Sequence, residues 1–325
     1  MRSIHVFLFS ITLLSLGACY PASTSPAQII SPEGTIQAET TPLATTAVTL
    51  IPVTEEVFTP TLTTSPIRAT NTPEEENEFP ISVTQSLTIT IVYDNNQYDQ
   101  RLSSAWGFSA LVEYRDYNLL FDTGGDGQML MENMRILGID PSQIDSVVLS
   151  HAHEDHTGGL TALLDSGAKP VVYLLPSFPV SFKRQIEQFT QASEVLPGQS
   201  FAEGLWTTGE VGGIIPEQAL VIQTEQGLVV ITGCAHPGIV AIVEQAQIIF
   251  AEPVFLVLGG FHLGDKSEAE IDAILKDFRR LEVKQVAPCH CTGDYAIYRF
   301  AAEYGKDFIQ VGVGSVIRLE ASILK

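Results

Sequence analysis

The chain has 325 residues, of which 45% are apolar, and its formal charge is −21. That length permits one large folded domain or two small ones. The acidic excess argues against nucleic acid or an anionic membrane surface as an electrostatic partner. Four cysteines are too few, and too unevenly spaced, for a disulfide framework.

The first 19 residues have the features of an export signal. Arg2 precedes an apolar run over residues 4–16, which is too short to span a bilayer. The run ends in L-G-A-C, which resembles the bacterial lipobox, where cleavage leaves Cys19 as a lipid-modified N-terminus. We therefore expect an exported bacterial lipoprotein, anchored to the membrane only through Cys19, with its domain facing outside the cytoplasm. The alternative is an ordinary signal peptide in which Cys19 has no role.

Residues 20–80 are dominated by Thr, Ser, Pro and Ala. Such a composition buries too little apolar surface to offset the entropy of ordering the chain. We therefore predict a disordered tether that holds a folded domain, residues 81–325, away from the membrane.

The folded domain begins with strands and then alternates strands with helices. Strict alternation of apolar residues over Leu87–Tyr93 predicts a half-buried strand, and a hairpin follows it. The hairpin strands are predicted at 110–114 and 118–122, further strands at 146–149, 171–175, 219–223, 228–232, 254–258, 285–287 and 308–319, and helices at 129–137, 238–250, 268–281 and 294–304. This order predicts an α/β (α+β) fold in which two mixed sheets pack face to face with helices outside, a four-layer αββα sandwich.

The densest group of chemically active side chains follows the strand at 146–149. The sequence S-H-A-H-E-D-H-T-G-G-L places three of the seven histidines and two carboxylates on one strand-to-helix loop. Such loops carry the chemistry of α/β folds, and imidazole and carboxylate groups bind zinc, iron or manganese. We therefore predict a metal site on this loop. The alternative is a surface turn that is rich in histidine by chance.

Three later loops have the same strand-to-helix placement. C-A-H-P-G offers His236, whose alternative is a helix-capping or core role, and Cys234, which either ligates a metal or is a small buried side chain. C-H-C cannot close a relaxed disulfide, so its cysteines are thiols or packing residues. Its His290 is a ligand candidate, with a structural role as the alternative. G-G-F-H-L supplies His262, which either faces the substrate or caps the following helix.

Asp122 ends the second hairpin strand, directly before Thr-Gly-Gly. Its carboxylate could ligate a metal. We favour a role in orienting the histidine loop through hydrogen bonds, because carboxylates outside the ligand set commonly fix ligating histidines.

Taken together, these residues resemble the metallo-β-lactamase superfamily. The motifs that carry the resemblance are F-D-T-G from Phe121, H-A-H-E-D-H from His151, and the later His236 and His290. The stretches W-G-F-S-A-L, T-T-G-E-V, E-Q-A-L, T-G-C-A-H-P-G-I-V, G-G-F-H-L and P-C-H-C-T-G resemble the branch that includes 7,8-dihydropterin-6-methyl-4-(β-D-ribofuranosyl)aminobenzene-5′-phosphate synthase and related metal-dependent hydrolases. The resemblance covers residues 86–325.

This resemblance implies an αββα sandwich with one or two divalent metal ions along its edge. Zinc is the first expectation, and iron or manganese are the alternatives. The implied ligands form two sets, one for each ion. The sets are His151, His153 and His236, and Asp155, His156 and His290.

Two positions depart from the pattern of the hydrolases in this family. Cys234 stands where many relatives carry a bridging aspartate, and Gly209-Glu210 stands where they carry their third histidine. The number of ions and the residue that bridges them are therefore open, and Glu210 is a possible pocket residue only.

The activity that the resemblance implies is hydrolysis of a small molecule by a metal-activated water, which Asp155 would orient or whose proton it would shuttle. A phosphoester or an ester/lactone is the expected substrate class. One alternative is a pterin-precursor synthase-like transferase, although an exported lipoprotein would lack ready access to cytoplasmic substrates. The other alternative is a non-catalytic metal-containing module for ligand binding or sensing.

Overall fold

The structure is a computed structural model that describes residues 86–320. The predicted signal at 1–19 and tether at 20–80 lie outside the described residues. Among the helices of residues 86–320, none combines the length and apolar character that crossing a bilayer requires.

Residues 86–320 form thirteen strands and seven α-helices. The strands are β1 Leu87–Tyr93, β2 Ser109–Tyr114, β3 Tyr117–Phe121, β4 Ser146–Val148, β5 Val171–Leu174, β6 Ala192–Glu194, β7 Ser200–Ala202, β8 Leu205–Thr207, β9 Leu220–Thr224, β10 Gly227–Thr232, β11 Val254–Gly260, β12 Gln285–Cys289 and β13 Val316–Leu319. The helices are α1 Gly127–Leu137, α2 Glu154–Thr157, α3 Leu160–Asp165, α4 Val180–Ile186, α5 Ile239–Phe250, α6 Glu268–Arg280 and α7 Asp294–Tyr304.

The strands form two mixed sheets. The first has the spatial order β13-β1-β2-β3-β4-β5-β6, and the second has the order β12-β11-β10-β9-β8-β7. In the first sheet β3, β4, β5 and β6 run parallel, and in the second β10, β11 and β12 do. The carboxyl ends of parallel neighbours meet at one edge of a sheet, so the loops that leave them collect there.

Alternate side chains of each sheet face two different cores. In β10, Val229 and Ile231 pack between the two sheets, whereas Leu228 and Val230 pack among residues of α5, α6 and α7. The opposite face of the first sheet packs against α1, α3 and α4. The layers are therefore helix, sheet, sheet and helix. This result confirms the predicted αββα sandwich.

Local sequence explains where the helices that flank the sheets begin and end. Asp126 caps α1 by accepting a hydrogen bond from Met129 N, and Gly138 ends α1 in the left-handed conformation. A capping box begins α6, because Ser267 and Glu270 each accept a hydrogen bond from the other's backbone N–H.

The last strand is shorter than predicted. The sequence predicted it over 308–319, but only Val316–Leu319 pairs with β1. Gly314 has φ 91° in the middle of the predicted segment, and Ser315 N donates to Gly312 O in a turn. A residue in that conformation interrupts an extended chain, so the regular ladder with β1 begins at Val316, although Gly314 N still donates to Ile91 O at 2.8 Å. The short elements α2, α4, β6, β7 and β8 were not predicted; α2 lies in the stretch predicted as the histidine loop.

We expect Leu256→Ala to lower the free energy of unfolding by about 3 kcal/mol, because it removes a fully buried side chain and leaves a cavity. Leu256 lies in β11, between the two sheets. Urea unfolding midpoints, measured with the exposed Leu196→Ala as the control, test this expectation. A midpoint equal to that of the control would show that the inter-sheet core is not closely packed there.

Candidate metal centre

Four strand-to-helix loops meet at one edge of the sandwich. They follow β4, β10, β11 and β12, and they bring together three groups of metal-ligating atoms. Within each group the ligand atoms lie within 4.8 Å of one another. The three-histidine group is His151, His153 and His236; the acid–histidine group is Asp155, His156, Cys234 and His290; the thiol group is Cys234, His262 and Cys291.

The rings of the three-histidine group are closely packed, and the Nε2 atom of His151 is buried. The ring centroids of its members lie 4.7 Å to 4.8 Å apart. Burial, with a smaller effect of His156, lowers the pKa of His151 to about 3, so its ring is neutral at pH 7. Within residues 86–320, the buried Nε2 of His151 has no hydrogen-bond partner. Such a nitrogen needs a partner, and a divalent metal ion would satisfy it.

Hydrogen bonds through Nδ1 fix the orientation of the histidines on the first loop. His156 Nδ1 lies 2.7 Å from Asp122 Oδ2. His151 Nδ1 lies 2.9 Å from Ser150 Oγ, which itself donates to Asp122 Oδ2 at 2.7 Å. We assign the proton of each ring to Nδ1 from these partners. The lone pair of each ring then lies on Nε2, which is the arrangement of a metal-ligating histidine with an outer hydrogen-bond partner.

The histidines of the later loops are held in the same way. His236 Nδ1 lies 3.1 Å from Glu217 Oε2, and His290 Nδ1 lies 2.9 Å from Asn95 Oδ1. Asn95 also donates from Nδ2 to the carbonyl oxygen of His290 at 3.2 Å. Both rings therefore keep Nε2 available for a metal ion.

The acid–histidine group has the spacing of a four-donor metal site. Cys234 Sγ lies 3.2 Å from His156 Nε2 and 3.4 Å from His290 Nε2. Asp155 Oδ2 lies 3.6 Å and 3.4 Å from the same two nitrogens. Donor atoms around a tetrahedral zinc ion lie about 3.3–3.8 Å apart, given zinc–nitrogen and zinc–sulfur bonds of about 2.0–2.3 Å. These four residues therefore fit a divalent ion.

Two members of this group, His156 and Asp155, are already in the protonation states that suit metal binding. Burial, assisted by the charge of His290, lowers the pKa of His156 to about 4 and keeps the ring neutral. Burial acts to raise the pKa of Asp155, but hydrogen bonding to His290 and the charge of His156 hold it well below its ordinary value. Neutral imidazole and ionised carboxylate are the forms that bind metals. Hydrogen bonding to Cys291 raises the pKa of Cys234. Burial acts to lower the pKa of His290, but hydrogen bonding to Asp155 raises it. Metal binding would therefore displace the protons of Cys234 and His290.

Asp122 belongs to none of these groups and acts on the histidine loop instead. Its fully buried carboxylate accepts hydrogen bonds from Ser150 N at 2.7 Å and from Ser150 Oγ, besides its contact with His156. Burial acts to raise the pKa of Asp122, against the opposing effects of His151 and Ser150, while the three donors around its two oxygens favour the ionised form. This arrangement agrees with the orienting role favoured from the sequence.

Glu217 is a site residue that sequence reasoning missed. It is fully buried, and its Oε1 accepts hydrogen bonds from Cys234 N and Ala235 N, both at 2.8 Å. Its Oε2 accepts from His236 N at 3.0 Å and contacts the ring of His236. Burial acts to raise the pKa of Glu217, but hydrogen bonding to His236 and the charge of His151 lower it to about 2. Glu217 therefore holds the whole Cys234–His236 loop in place.

The only sequence signal for Glu217 was its place in E-Q-A-L, which gave no role to the glutamate. Asn95 was missed as well, although it lies two residues after the end of β1 in D-N-N-Q. Both residues act through backbone or ring nitrogens of other loops. Such contacts depend on tertiary structure and leave no spacing pattern in the sequence.

The remaining candidates have separate positions. The ring of His262 lies 4.5 Å from that of His236 and does not cap α6, whose N-cap is Ser267. Hydrogen bonding from Cys234, and more weakly from His262, lowers the pKa of Cys291 to about 5 although burial opposes this. Exposed Glu210 lies in none of the three groups, and its Oε2 accepts a hydrogen bond from Ser177 N at 3.3 Å.

Comparisons with known proteins agree with this geometry. The model of the metallo-β-lactamase superfamily matches residues 107–247. The chain is 30% identical over 279 residues to 7,8-dihydropterin-6-methyl-4-(β-D-ribofuranosyl)-aminobenzene-5′-phosphate synthase of Methanocaldococcus jannaschii, covering 70% of this chain and 95% of that protein.

Solved structures extend the likeness to the fold. Tm1679, described as a metal-dependent hydrolase of the β-lactamase superfamily, has a TM-score of 0.60 and 29% identity, covering 71% of this chain and 98% of that one. The metallo-β-lactamase fold protein YhfI of Bacillus subtilis has a TM-score of 0.55 and 16% identity, covering 72% and 99%. The second likeness concerns the fold alone. The fold, the family match and the extended sequence identity together establish that the chain belongs to the metallo-β-lactamase superfamily.

Proposed function

We propose that the chain is a metal-dependent hydrolase that cleaves a small-molecule phosphoester, ester or lactone with a water molecule. The observation that carries this proposal is the meeting of the three-histidine and acid–histidine groups at one edge of the sandwich, with the Nδ1 atoms of four histidines held by outer partners. Because outer hydrogen bonds fix four histidine rings with Nε2 facing the site, we favour a metal-binding role for these residues over a purely structural one.

A divalent ion bound there would supply Lewis acidity, which lowers the pKa of water towards 7 and polarises the bond under attack. Asp155 is 21% exposed and stays ionised at neutral pH, so its carboxylate can accept a hydrogen bond from the attacking water. Its low pKa makes it a weak base. Asp155 therefore orients the water more than it retains the proton.

A synthase-like transferase is the second candidate. The likeness to the archaeal synthase, over 95% of that protein, is the observation that favours it. In that case the same metal centre would serve the joining of a pterin to an aminobenzene ribofuranosyl phosphate. Residues 1–80 support the hydrolase instead, because we propose that they export and anchor the chain at Cys19, away from cytoplasmic substrates.

Turnover of defined substrates tests the proposal. The purified chain, loaded in turn with zinc, iron and manganese, is assayed against phosphodiester, phosphomonoester, lactone and β-lactam substrates. Metal-dependent hydrolysis of a phosphoester or lactone is the expected result. Formation of a joined pterin product, seen by mass spectrometry without hydrolysis of the panel, would overturn the hydrolase in favour of the transferase. Bound metal with neither reaction would favour a binding or sensing module.

We expect Trp106→Ala to raise KM three- to tenfold with little change in kcat. Trp106 is 60% exposed, and its ring lies 5.0 Å from that of His290. The adjoining chain is held against the histidine loop, since Phe108 N donates to Asp155 O at 3.2 Å. An exposed aromatic face beside the centre would contact bound substrate and contribute about 0.5–1.5 kcal/mol. Steady-state kinetics test this, with Tyr298→Ala as the exposed aromatic control. An unchanged KM would remove Trp106 from the substrate site.

A further inference from the structure

Two of the three members of the thiol group, His262 and Cys291, play no part in the proposed hydrolysis. The thiol group shares Cys234 with the acid–histidine group, but among the described residues His262 and Cys291 belong to neither of the other two groups. Cys234 and Cys291 are buried, whereas His262 is exposed. The thiol group is therefore a separate set of donors beside the histidine centre, open to solvent at His262.

The loops that carry the thiol group contain non-glycine residues in the left-handed conformation. The φ angle is 53° at His262, 63° at Ala235, which follows Cys234, and 48° at His290, which precedes Cys291. Each of these conformations costs free energy that the surrounding structure must offset. Residues of this kind are frequent at functional sites, and two of these loops also carry His236 and His290 of the histidine centre.

Gly260 allows the two sulfur-bearing loops to approach each other. A Cβ atom at Gly260 would lie 2.8 Å from Cys291 Sγ and 3.2 Å from Cys234 Cα. The same atom would lie 2.3 Å from Gly233 O, so any side chain there would push the backbone of Gly233 as well as Cys291 out of place. Cys291 Sγ also lies 3.5 Å from Cys234 O.

Two sulfurs and one imidazole nitrogen select soft or borderline metals, whereas magnesium and calcium prefer oxygen. Zinc–sulfur bonds of about 2.3 Å place neighbouring donor atoms about 3.8 Å apart. The donor atoms of the thiol group all lie within 4.8 Å of one another, so they are close enough to share one ion. We propose that Cys234, His262 and Cys291 form a soft-metal site for zinc-like or cadmium-like ions. The sulfur of Cys234 links this site to the acid–histidine group, and the fourth position opens to solvent beside His262.

Cadmium titration tests the site without any need for turnover. The metal-free, reduced full chain is titrated with Cd²⁺ alone, and the thiolate-to-cadmium absorption and the bound cadmium per chain are measured. We expect Cys291→Ser to remove at least half of the absorption and one bound ion. Cys289→Ala should change neither quantity, because Cys289 is fully buried in the inter-sheet core and lies in none of the three groups. All variants retain Cys19, so its contribution cancels.

A second variant covers the case in which Cys291→Ser fails to fold. His262→Asn changes an exposed side chain, and we expect it to weaken one cadmium site at least tenfold while leaving the absorption at saturation. Absorption and stoichiometry that match wild type in both variants would overturn the proposal. Because neither the thiolate absorption nor the loss of one bound ion depends on turnover, a failure of the proposed hydrolysis would leave this test unaffected.

Discussion

His153→Ala should abolish turnover and remove one bound metal ion per chain. His153 belongs to the three-histidine group, and losing one of three protein ligands should weaken binding by more than about a hundredfold. Its side chain is exposed and makes no capping hydrogen bond to α2, so the fold should not change. Metal content by mass spectrometry, measured beside turnover, checks both effects.

Glu154→Ala is the matched control for this substitution. Glu154 is the next residue along the loop, is exposed, and lies in none of the three donor groups. The control should keep both metal and turnover. Full-rate turnover by His153→Ala would show that the three-histidine group is not the reaction centre, whatever the control does.

Glu217→Ala should have the largest effect on stability, lowering the free energy of unfolding by about 4 kcal/mol. The substitution leaves the backbone N–H groups of Cys234, Ala235 and His236 without their buried acceptor. Each unpaired group costs about 1–3 kcal/mol. Urea unfolding of the metal-free protein measures this change.

Two further variants separate the role of the Glu217 carboxylate from that of its volume. Glu217→Gln keeps the shape but turns one acceptor into a donor, so we expect an intermediate loss of stability, about 2 kcal/mol, and metal binding weaker by about 10–100-fold. The exposed Glu113→Ala should leave both quantities unchanged. Wild-type metal affinity in Glu217→Gln would contradict the positioning role.

The pH dependence of stability should also contain a contribution from Glu217. Its pKa in the folded protein is about 2, below the ordinary value of 4.5. The stabilisation is therefore complete above about pH 4.5 and is lost as the pH falls towards 2; its full size is about 3 kcal/mol. Unfolding of metal-free wild type and Glu217→Gln, compared at about pH 6 and about pH 3, tests this. An equal loss of stability in both proteins would contradict it.

The sequence predicted the layers of the fold and the ligand loops because both leave local patterns. Leu87, Ile89 and Ile91 face the space between the sheets as the alternation predicted. Val92 and Tyr93, however, pack on the helix side, so β1 is buried on both faces and not half-buried as predicted. The histidines at 151–156 share one loop, and the structure brings them to His236 and His290 in the two sets that the family resemblance implies. Cys234, left open between a ligand and a core residue, lies within contact distance of His156 and His290.

What the sequence did not predict depends on contacts between distant parts of the chain. Glu217 holds a loop that begins 17 residues later, and Asn95 contacts a histidine 195 residues away. Neither spacing follows a helical or strand period, so no local pattern indicates it. The last strand was predicted too long for a different reason. The apolar residues near 308–313 suggested an extended strand, but the chain turns at Gly314.

The metal content of the purified full chain tests the central claim most directly. Chelation should yield a metal-free protein that regains at least one equivalent of zinc, iron or manganese, and His153→Ala should regain one equivalent fewer. That result would establish a metal centre held by the three-histidine group. A chain that stays metal-free after reconstitution with all three metals, while its fold is intact by circular dichroism, would contradict the account.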